Sequence, residues 1–230
     1  MALHEDEVPV DLTLARRLVD EQFPQWADLP LSAAGDGTDN RMFRLGEELV
    51  VRLPRRPGTA ADVAKEQTWI PRLGPVLPVD VPEPMALGGP GAGYPFPWSV
   101  LRWIEGEEPG PATVRDWAAF GRDLAGVVRA LHGDLRSANL LVRDGRLAAV
   151  LDFGALSLGR PAAEHAAVWH FPAAMGSAYR EALGVDDDTW ERARGWALAV
   201  SLLAMPYYWS SWPEFAQGGV DKVRRLIAES

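Results

Sequence analysis

Apolar residues at Leu12, Ala15, Leu18, Val19 and Phe23 recur mostly three or four positions apart, with Asp11 just ahead of them. That spacing predicts a helix with one apolar face and Asp11 as its N-cap. The pattern then shortens. Leu31 to Ala34, Met42 to Leu45 and Leu49 to Leu53 are brief runs separated by Gly35-Asp36-Gly37-Thr38-Asp39-Asn40 and by Gly46-Glu47. They read as strand, glycine-containing turn, strand, turn, strand. Ala60 to Ile70 predicts a helix, ended or kinked by Pro71, with only an approximate apolar side at Val63 and Ile70. Turns rich in Pro and Gly at 81–84 and 88–97 surround a hairpin, and Trp98 to Ile104 reads as a buried strand.

The second half changes character. Pro111 opens a predicted helix bearing Val114, Trp117, Phe120, Leu124, Val127, Val128 and Leu131 on one side. Leu140 to Val142 and Leu147 to Leu151 flank Asp144-Gly145, a strong hairpin signal. Three more helices are expected. One is opened by Gly159-Arg160-Pro161 and holds Glu164, His165 and Trp169. The next follows Asp186-Asp187-Asp188 and runs through Trp190, Ala193, Ala197, Val200, Ser201 and Ala204, and the last is amphipathic over Gly218 to Ile227. There is no internal repeat and no low-complexity tract. An α+β fold follows, with strands gathered in the first half and helices in the second.

Composition narrows the class. A chain of 230 residues with 47% hydrophobic content and ten tryptophans can bury one large core or two smaller ones. No apolar run approaches the roughly 20 residues of a membrane helix. The acidic start, MALHEDEVPVD, lacks the basic and apolar parts of a signal peptide, so a cytoplasmic location is expected. With no cysteine there is neither a disulfide framework nor a thiolate metal site. A net charge of −9 argues against nucleic acid as a partner and is compatible with a cationic substrate, though solubility explains most such charge.

The chemistry concentrates between Leu131 and Gly159. His132-Gly133-Asp134 is followed five residues after the aspartate by Asn139, and the hairpin leads to Asp152-Phe153-Gly154. Folding back at Asp144-Gly145 brings Asp152 beside Asp134 and Asn139. Two carboxylates and an amide oxygen in one small volume suit Mg²⁺, a hard cation that shares its remaining sites with phosphates and water. In the first half, Arg52 is a charge in an otherwise apolar strand. Gly35 and Gly37 would let backbone amides approach a phosphate.

This order of motifs, with the Asp-to-Asn spacing of a kinase catalytic loop, resembles the aminoglycoside phosphotransferase and choline kinase-like family, the small-molecule branch of the protein-kinase-like fold. The resemblance spans nearly the whole chain. It implies a two-lobed architecture, with residues 1–104 a nucleotide-binding lobe and 105–230 a catalytic and acceptor-binding lobe. It implies ATP or GTP with Mg²⁺ as cofactors and a small-molecule hydroxyl as phosphoryl acceptor. Asp134 would orient that hydroxyl and take its proton, Asn139 and Asp152 would hold Mg²⁺, and His132 would brace the loop. Arg52 would clamp the nucleotide phosphates with Glu66 as its partner, and backbone groups of Arg102, Trp103 and Ile104 would meet the base. Arg136 stands two residues after Asp134, where many protein kinases place a phosphate-neutralising lysine.

Some features depart from the family. The segment that usually precedes the His-Gly-Asp loop is shortened, Arg136-Ser137-Ala138 replaces a common His-Pro-Gly, and Arg160 stands where an acidic residue is common. The family uses acidic residues from the region of Asp186 to Asp188 for cationic acceptors, but helix capping also accounts for them here. His165 and His170 lack metal-ligand partners at useful spacing, and Pro206-Tyr207-Tyr208-Trp209 with Trp212 suits core packing. Two classes therefore stay open: a phosphotransferase acting on a small-molecule hydroxyl, and a nucleotide-binding pseudokinase or scaffold whose shortened lobe has lost the acceptor. A shortened chain that merely keeps the fold is a third reading. Oligomeric state is not written in the sequence.

Overall fold

Asp11 accepts a hydrogen bond from the Leu14 N–H at 2.8 Å and caps α1 (Leu12–Gln22). Such an acceptor satisfies one of the donors that a helix start leaves unpaired. The buried side of α1 is Ala15, Leu18 and Val19. It packs on one face of an antiparallel sheet of β1 (Leu31–Asp36), β2 (Asn40–Leu45), β3 (Leu49–Pro54), β4 (Pro84–Gly88) and β5 (Trp98–Arg102), ordered β1-β2-β3-β5-β4. Strand alternation sends Val51, Leu53, Trp98 and Val100 into that core. The neighbouring positions Val50, Arg52, Ser99 and Leu101 take the opposite face and are buried as well. β3 is thus a central strand covered on both sides.

These elements come from a computed structural model that describes residues 6–128, 132–157 and 161–228. The chain divides into two compact units, one of Ala2–Val76 with Asp80–Glu105 and the other of Gly106–Ser230 with Leu77–Val79. In the first unit two boundaries differ from expectation. α2 spans Pro57–Leu73, starting earlier because Pro57 takes a favoured first-turn position and running through Pro71. Pro71 lies in the last turn, so its missing N–H removes a bond at the helix end and breaks nothing beyond. β5 stops at Arg102, two residues before Ile104. The Trp103 N–H adds one last bond in register with β3, to the Glu48 carbonyl at 2.7 Å, and Ile104 makes none among the described residues.

In the second unit α3 covers Trp117–Val127 and begins at Asp116 rather than Pro111. The Asp116 carboxylate accepts from the Ala118 and Ala119 N–H groups at 2.9 and 3.1 Å, whereas 111–113 form a turn. Val114 is buried ahead of the helix, and Leu131 lies outside the described residues. The hairpin joins β6 (Leu140–Arg143) to β7 (Arg146–Val150) through Asp144 and Gly145, both at positive φ. That is the turn whose twist matches paired strands. α4 (Pro161–His165) continues into a 3₁₀ turn, Ala166–His170, while Gly159 and Arg160 lie outside the described residues.

Three helices follow. α5 (Ala173–Leu183) has no counterpart among the expected elements, because it lacks a capping side chain and two of its four buried residues, Gly176 and Ala178, are small beside Met175 and Tyr179. α6 (Asp187–Tyr208) is capped by Asp186, which accepts from the Thr189 N–H at 2.7 Å. α7 (Pro213–Ala228) begins before Gly218 because Pro213 can open it. No helix of the described residues is long and apolar enough to cross a membrane.

α3 and α5 approach closely at Gly121, where an added Cβ would lie 2.3 Å from the Met175 carbonyl oxygen. Gly121→Ala should therefore lower the urea midpoint by the equivalent of about 1–3 kcal/mol. Gly195→Ala, where an added Cβ meets nothing, should stabilise by up to about 1 kcal/mol through helix propensity. Equal effects at the two sites would contradict the crossing.

Candidate functional site

The segment around Asp134 is held from below by Glu164. This α4 carboxylate is 4% exposed and accepts from the His132 N–H at 3.1 Å and the Gly133 N–H at 2.8 Å, one to each oxygen. Burial raises its pKa, with the Asp134 charge adding to the rise, while the two amide bonds pull it down. Gly133 is at φ 88°, and a Cβ there would stand 2.5 Å from the Ala155 carbonyl oxygen. Only glycine fits so close to the chain that follows Asp152. Sequence reasoning placed Glu164 in a helix without this role. Its signal was a carboxylate amid Pro161-Ala162-Ala163 and apolar residues beyond, a setting that calls for a partner.

His132 ties the loop to the hairpin. Its Nε2 lies 2.8 Å from the Leu151 carbonyl, its Nδ1 faces the Asp134 N–H at 3.3 Å, and its ring packs edge-on against Phe153. The network assigns the neutral tautomer with the proton on Nε2. Burial holds its pKa below the ordinary histidine value, overcoming the Leu151 bond and the Asp134 and Asp152 charges.

Asn139 sits at the start of the hairpin and is buried. Its Nδ2 donates to the Asp134 carbonyl at 2.9 Å and to Asp134 Oδ2 at 2.8 Å, and its own carbonyl accepts the Leu151 N–H at 2.8 Å. Asp134 and Asn139 are thus joined directly, and Asp152 follows the residue paired across from Asn139. Asp152 is left-handed, at φ 58° and ψ 73°, a conformation that Asp tolerates better than most residues. Arg136 is brought to Asp134, with Nε 3.3 Å from Oδ2. Asp134 Oδ1 has no hydrogen bond among the described residues.

The donors present fit a hard divalent cation. The Asn139 amide nitrogen is spent on Asp134, which leaves its oxygen as the ligand atom, and Asp152 offers a carboxylate. Among the described residues no group of three or more His, Cys, Asp or Glu could hold a metal ion, so a cation here would rest on one carboxylate and one amide oxygen. His165 packs with its Nδ1 2.9 Å from the Tyr179 hydroxyl, and both residues are buried.

In the first unit Arg52 is 6% exposed. Its Nη1 donates to both Glu66 oxygens at 2.7 and 2.6 Å. Asn40, with its amide oxygen turned to the guanidinium, accepts from Nη2 at 2.9 Å and Nε at 3.2 Å. The sequence pattern puts Asn40 at the end of a turn. It starts β2 two residues before Met42, the partner of Arg52, so strand alternation places it on the arginine's face. The other expected positions differ in what they can offer. The Gly37 N–H donates to the Asn40 carbonyl at 3.0 Å, so it closes the β1–β2 turn instead of standing open to a phosphate. Gly35, at φ 111°, has open space around its α-carbon. The Arg102 N–H goes to the Glu83 carbonyl at 2.8 Å and the Trp103 N–H to Glu48, so neither donor is left over for a base. The Trp103 ring lies under the Arg44 guanidinium, 4.1 Å away. Ile104 makes no backbone hydrogen bond among the described residues.

A family profile described as the phosphotransferase enzyme family matches residues 30–132 and 111–196, well over half of the chain. Three solved structures show the same fold. One is an aminoglycoside phosphotransferase complex with GDP and kanamycin, 15% identical at TM-score 0.79, covering 96% of this chain and 100% of that one. A ternary complex of another with streptomycin and ATP is 14% identical at TM-score 0.63, covering 85% and 89%. The macrolide 2′-phosphotransferase of Brachybacterium faecium is 17% identical at TM-score 0.62, covering 94% and 98%. The comparison with curated proteins gives no match.

A neutral, buried His132 has a measurable consequence. Its folded pKa lies below 6.5, so the unfolded chain binds the proton first as pH falls and stability drops below that pH. Urea midpoints measured at about pH 7.5 and 5.5 should differ less in His132→Gln than in the parent. The residual slope would come from His165 and His170, whose pKa values burial also lowers. An undiminished slope would place the titrating group elsewhere.

Proposed function

We propose that this chain, which belongs to the phosphotransferase enzyme family, moves the γ-phosphoryl group of ATP or GTP to a hydroxyl of a small molecule. The observation that carries this reading is the bonded set Asp134–Asn139–Leu151. It holds a carboxylate with one oxygen uncommitted against Asn139 and ties Asn139 to Leu151, the residue that leads into a second carboxylate, Asp152. The family supplies the reaction, and the relatives solved with GDP or ATP support a purine nucleotide as donor.

Asp134 Oδ1 accepts the acceptor hydroxyl and aims its oxygen. The oxygen bonds to the γ-phosphorus as the bond from that phosphorus to the β–γ bridging oxygen breaks. The nucleoside diphosphate leaves, and the hydroxyl proton passes to Asp134. Asn139 keeps Asp134 in place, and Arg136 stands as a cation beside it against the phosphoryl charge. Asn139 and Asp152 are the residues that would hold Mg²⁺, which supplies charge neutralisation for the nucleotide phosphates when bound. The first unit takes the nucleotide. Arg52, oriented by Glu66 and Asn40, lends its charge to the phosphates, Gly35 admits them closely, and the backbone at Ile104 meets the base.

Thermal unfolding with and without Mg²⁺-ATP or Mg²⁺-GTP tests the nucleotide half. At about 100 times Kd the parent should gain roughly 2.7 kcal/mol, a rise of several degrees, and Asp152→Ala should lose most of it. Absence of any shift in the parent sinks the reading. Asp134→Asn should keep the nucleotide shift while turnover on an accepted alcohol falls about 10²–10⁴-fold, the usual worth of a positioned base. Unchanged turnover would remove Asp134 from the chemistry, and the same result in Arg136→Ala would remove Arg136.

A further inference from the structure

Beside Asp134, wholly within the second unit, lies a pocket of about 100 Å³ walled by residues 133–136, α4, α6 and α7. Much of its wall is small, with Ala163, Ala167 and Ala197 leaving room. Lys222 from α7 lines it too, although the residue is only 5% exposed. Its Nζ lies 3.0 Å from His170 Nε2, so the ammonium donates to a neutral imidazole. Arg136 and Lys222 line the pocket with His170, and Arg225 donates to the Trp169 and Phe171 carbonyls on either side of it; desolvation and the charges of these three cations hold His170 below its ordinary pKa.

Lys222 has no carboxylate partner among the described residues. Neither of the pocket's two acids pairs with Lys222. Glu164 spends both oxygens on the His132 and Gly133 amides, and Asp134 faces Arg136 and Asn139. The His170 nitrogen takes one of the three ammonium N–H groups and brings no negative charge, so burying this cation carries a desolvation cost that a methionine on α7 would avoid. Burial, with the Arg225 charge adding to it, pulls the Lys222 pKa down to about 8, the direction expected where no anion compensates.

We infer that this pocket seats an anionic group of the phosphoryl acceptor, a carboxylate or a phosphate, against Lys222, with a hydroxyl of the same molecule at Asp134. The inference rests on the phosphotransferase reading and names its substrate class. It departs from the hint of the overall −9 charge, because a buried cation with no carboxylate partner among the described residues lines the pocket beside Asp134. Transfer follows the sequence already described: the acceptor oxygen bonds to the γ-phosphorus, the nucleoside diphosphate leaves, and the proton goes to Asp134. The anionic group takes no part beyond binding.

The first test contains no nucleotide. Melting is followed at fixed ionic strength with glycerate, glycerol 3-phosphate, glycerol or ethanolamine, in the parent, Lys222→Met and Lys222→Arg. At about ten times Kd one of the two anions should raise the parent's Tm by about 3–6 °C, and the choice between them tells carboxylate from phosphate. Glycerol and ethanolamine should not. Lys222→Met should melt at or above the parent and lose the anion shift, while Lys222→Arg keeps it. No anion shift in the parent, an equal shift in Lys222→Met, or a preference for ethanolamine overturns the inference. So does a Lys222→Met protein several degrees less stable, which would make the lysine structural. Phosphoryl transfer to the same compounds then has to follow the same order, and Lys222→Met should cut kcat/KM for the anion at least tenfold. The Mg²⁺-ATP or Mg²⁺-GTP shift is read in parallel. If it survives while the anion shift is missing, only this inference fails, and if it is missing from the parent the phosphotransferase reading fails.

Discussion

A buried carboxylate bonded to two consecutive backbone amides is the constraint on which the second unit's site depends. Glu164 is held inside α4, and its bonds to the His132 and Gly133 N–H groups decide where the loop enters the hairpin. From there each position follows from the last. His132 reaches the Leu151 carbonyl, Asn139 takes the Leu151 amide, and the Asn139 side chain holds Asp134. Neither Glu164 nor His132 needs to touch a substrate to matter. They are positioning residues, and burial makes them effective because an amide or carboxylate left unpaired there is expensive.

The first unit solves a similar problem differently. Arg52 sits mid-sheet with both faces covered, and a charge in that place must be answered. Glu66 answers it from α2 and Asn40 answers it from the neighbouring strand. The result is a guanidinium whose orientation is decided before any ligand arrives, the pre-organisation that phosphate recognition uses. Its neighbours are less open than their sequence suggests. The Gly37, Arg102 and Trp103 amides already complete turns and strand ends. Lys222 is a different case, a buried cation met by a neutral imidazole nitrogen and by no carboxylate among the described residues.

Much of this protein is written locally. Alternation and turn residues at 31–54 specify three strands, Asp144-Gly145 specifies a hairpin, and Asp11 and Asp186 start helices, because each depends on near neighbours. The His-Gly-Asp, Asn and Asp-Phe-Gly order identified the family, which the family profile then showed. Even the placing of Leu151, the residue before Asp152, opposite Asn139 could be read, since a hairpin with a known turn fixes what lies opposite what. What the sequence could not determine was which distant groups would answer which buried charge. Glu164 is thirty-one residues from Gly133, Glu66 on α2 meets Arg52 on β3 in a pair that only the family resemblance implied, and Lys222 meets His170 fifty-two residues away. No spacing rule encodes such pairs. They are set when helices and strands pack, because only then does burial remove water as the alternative partner and make each unpaired polar atom count.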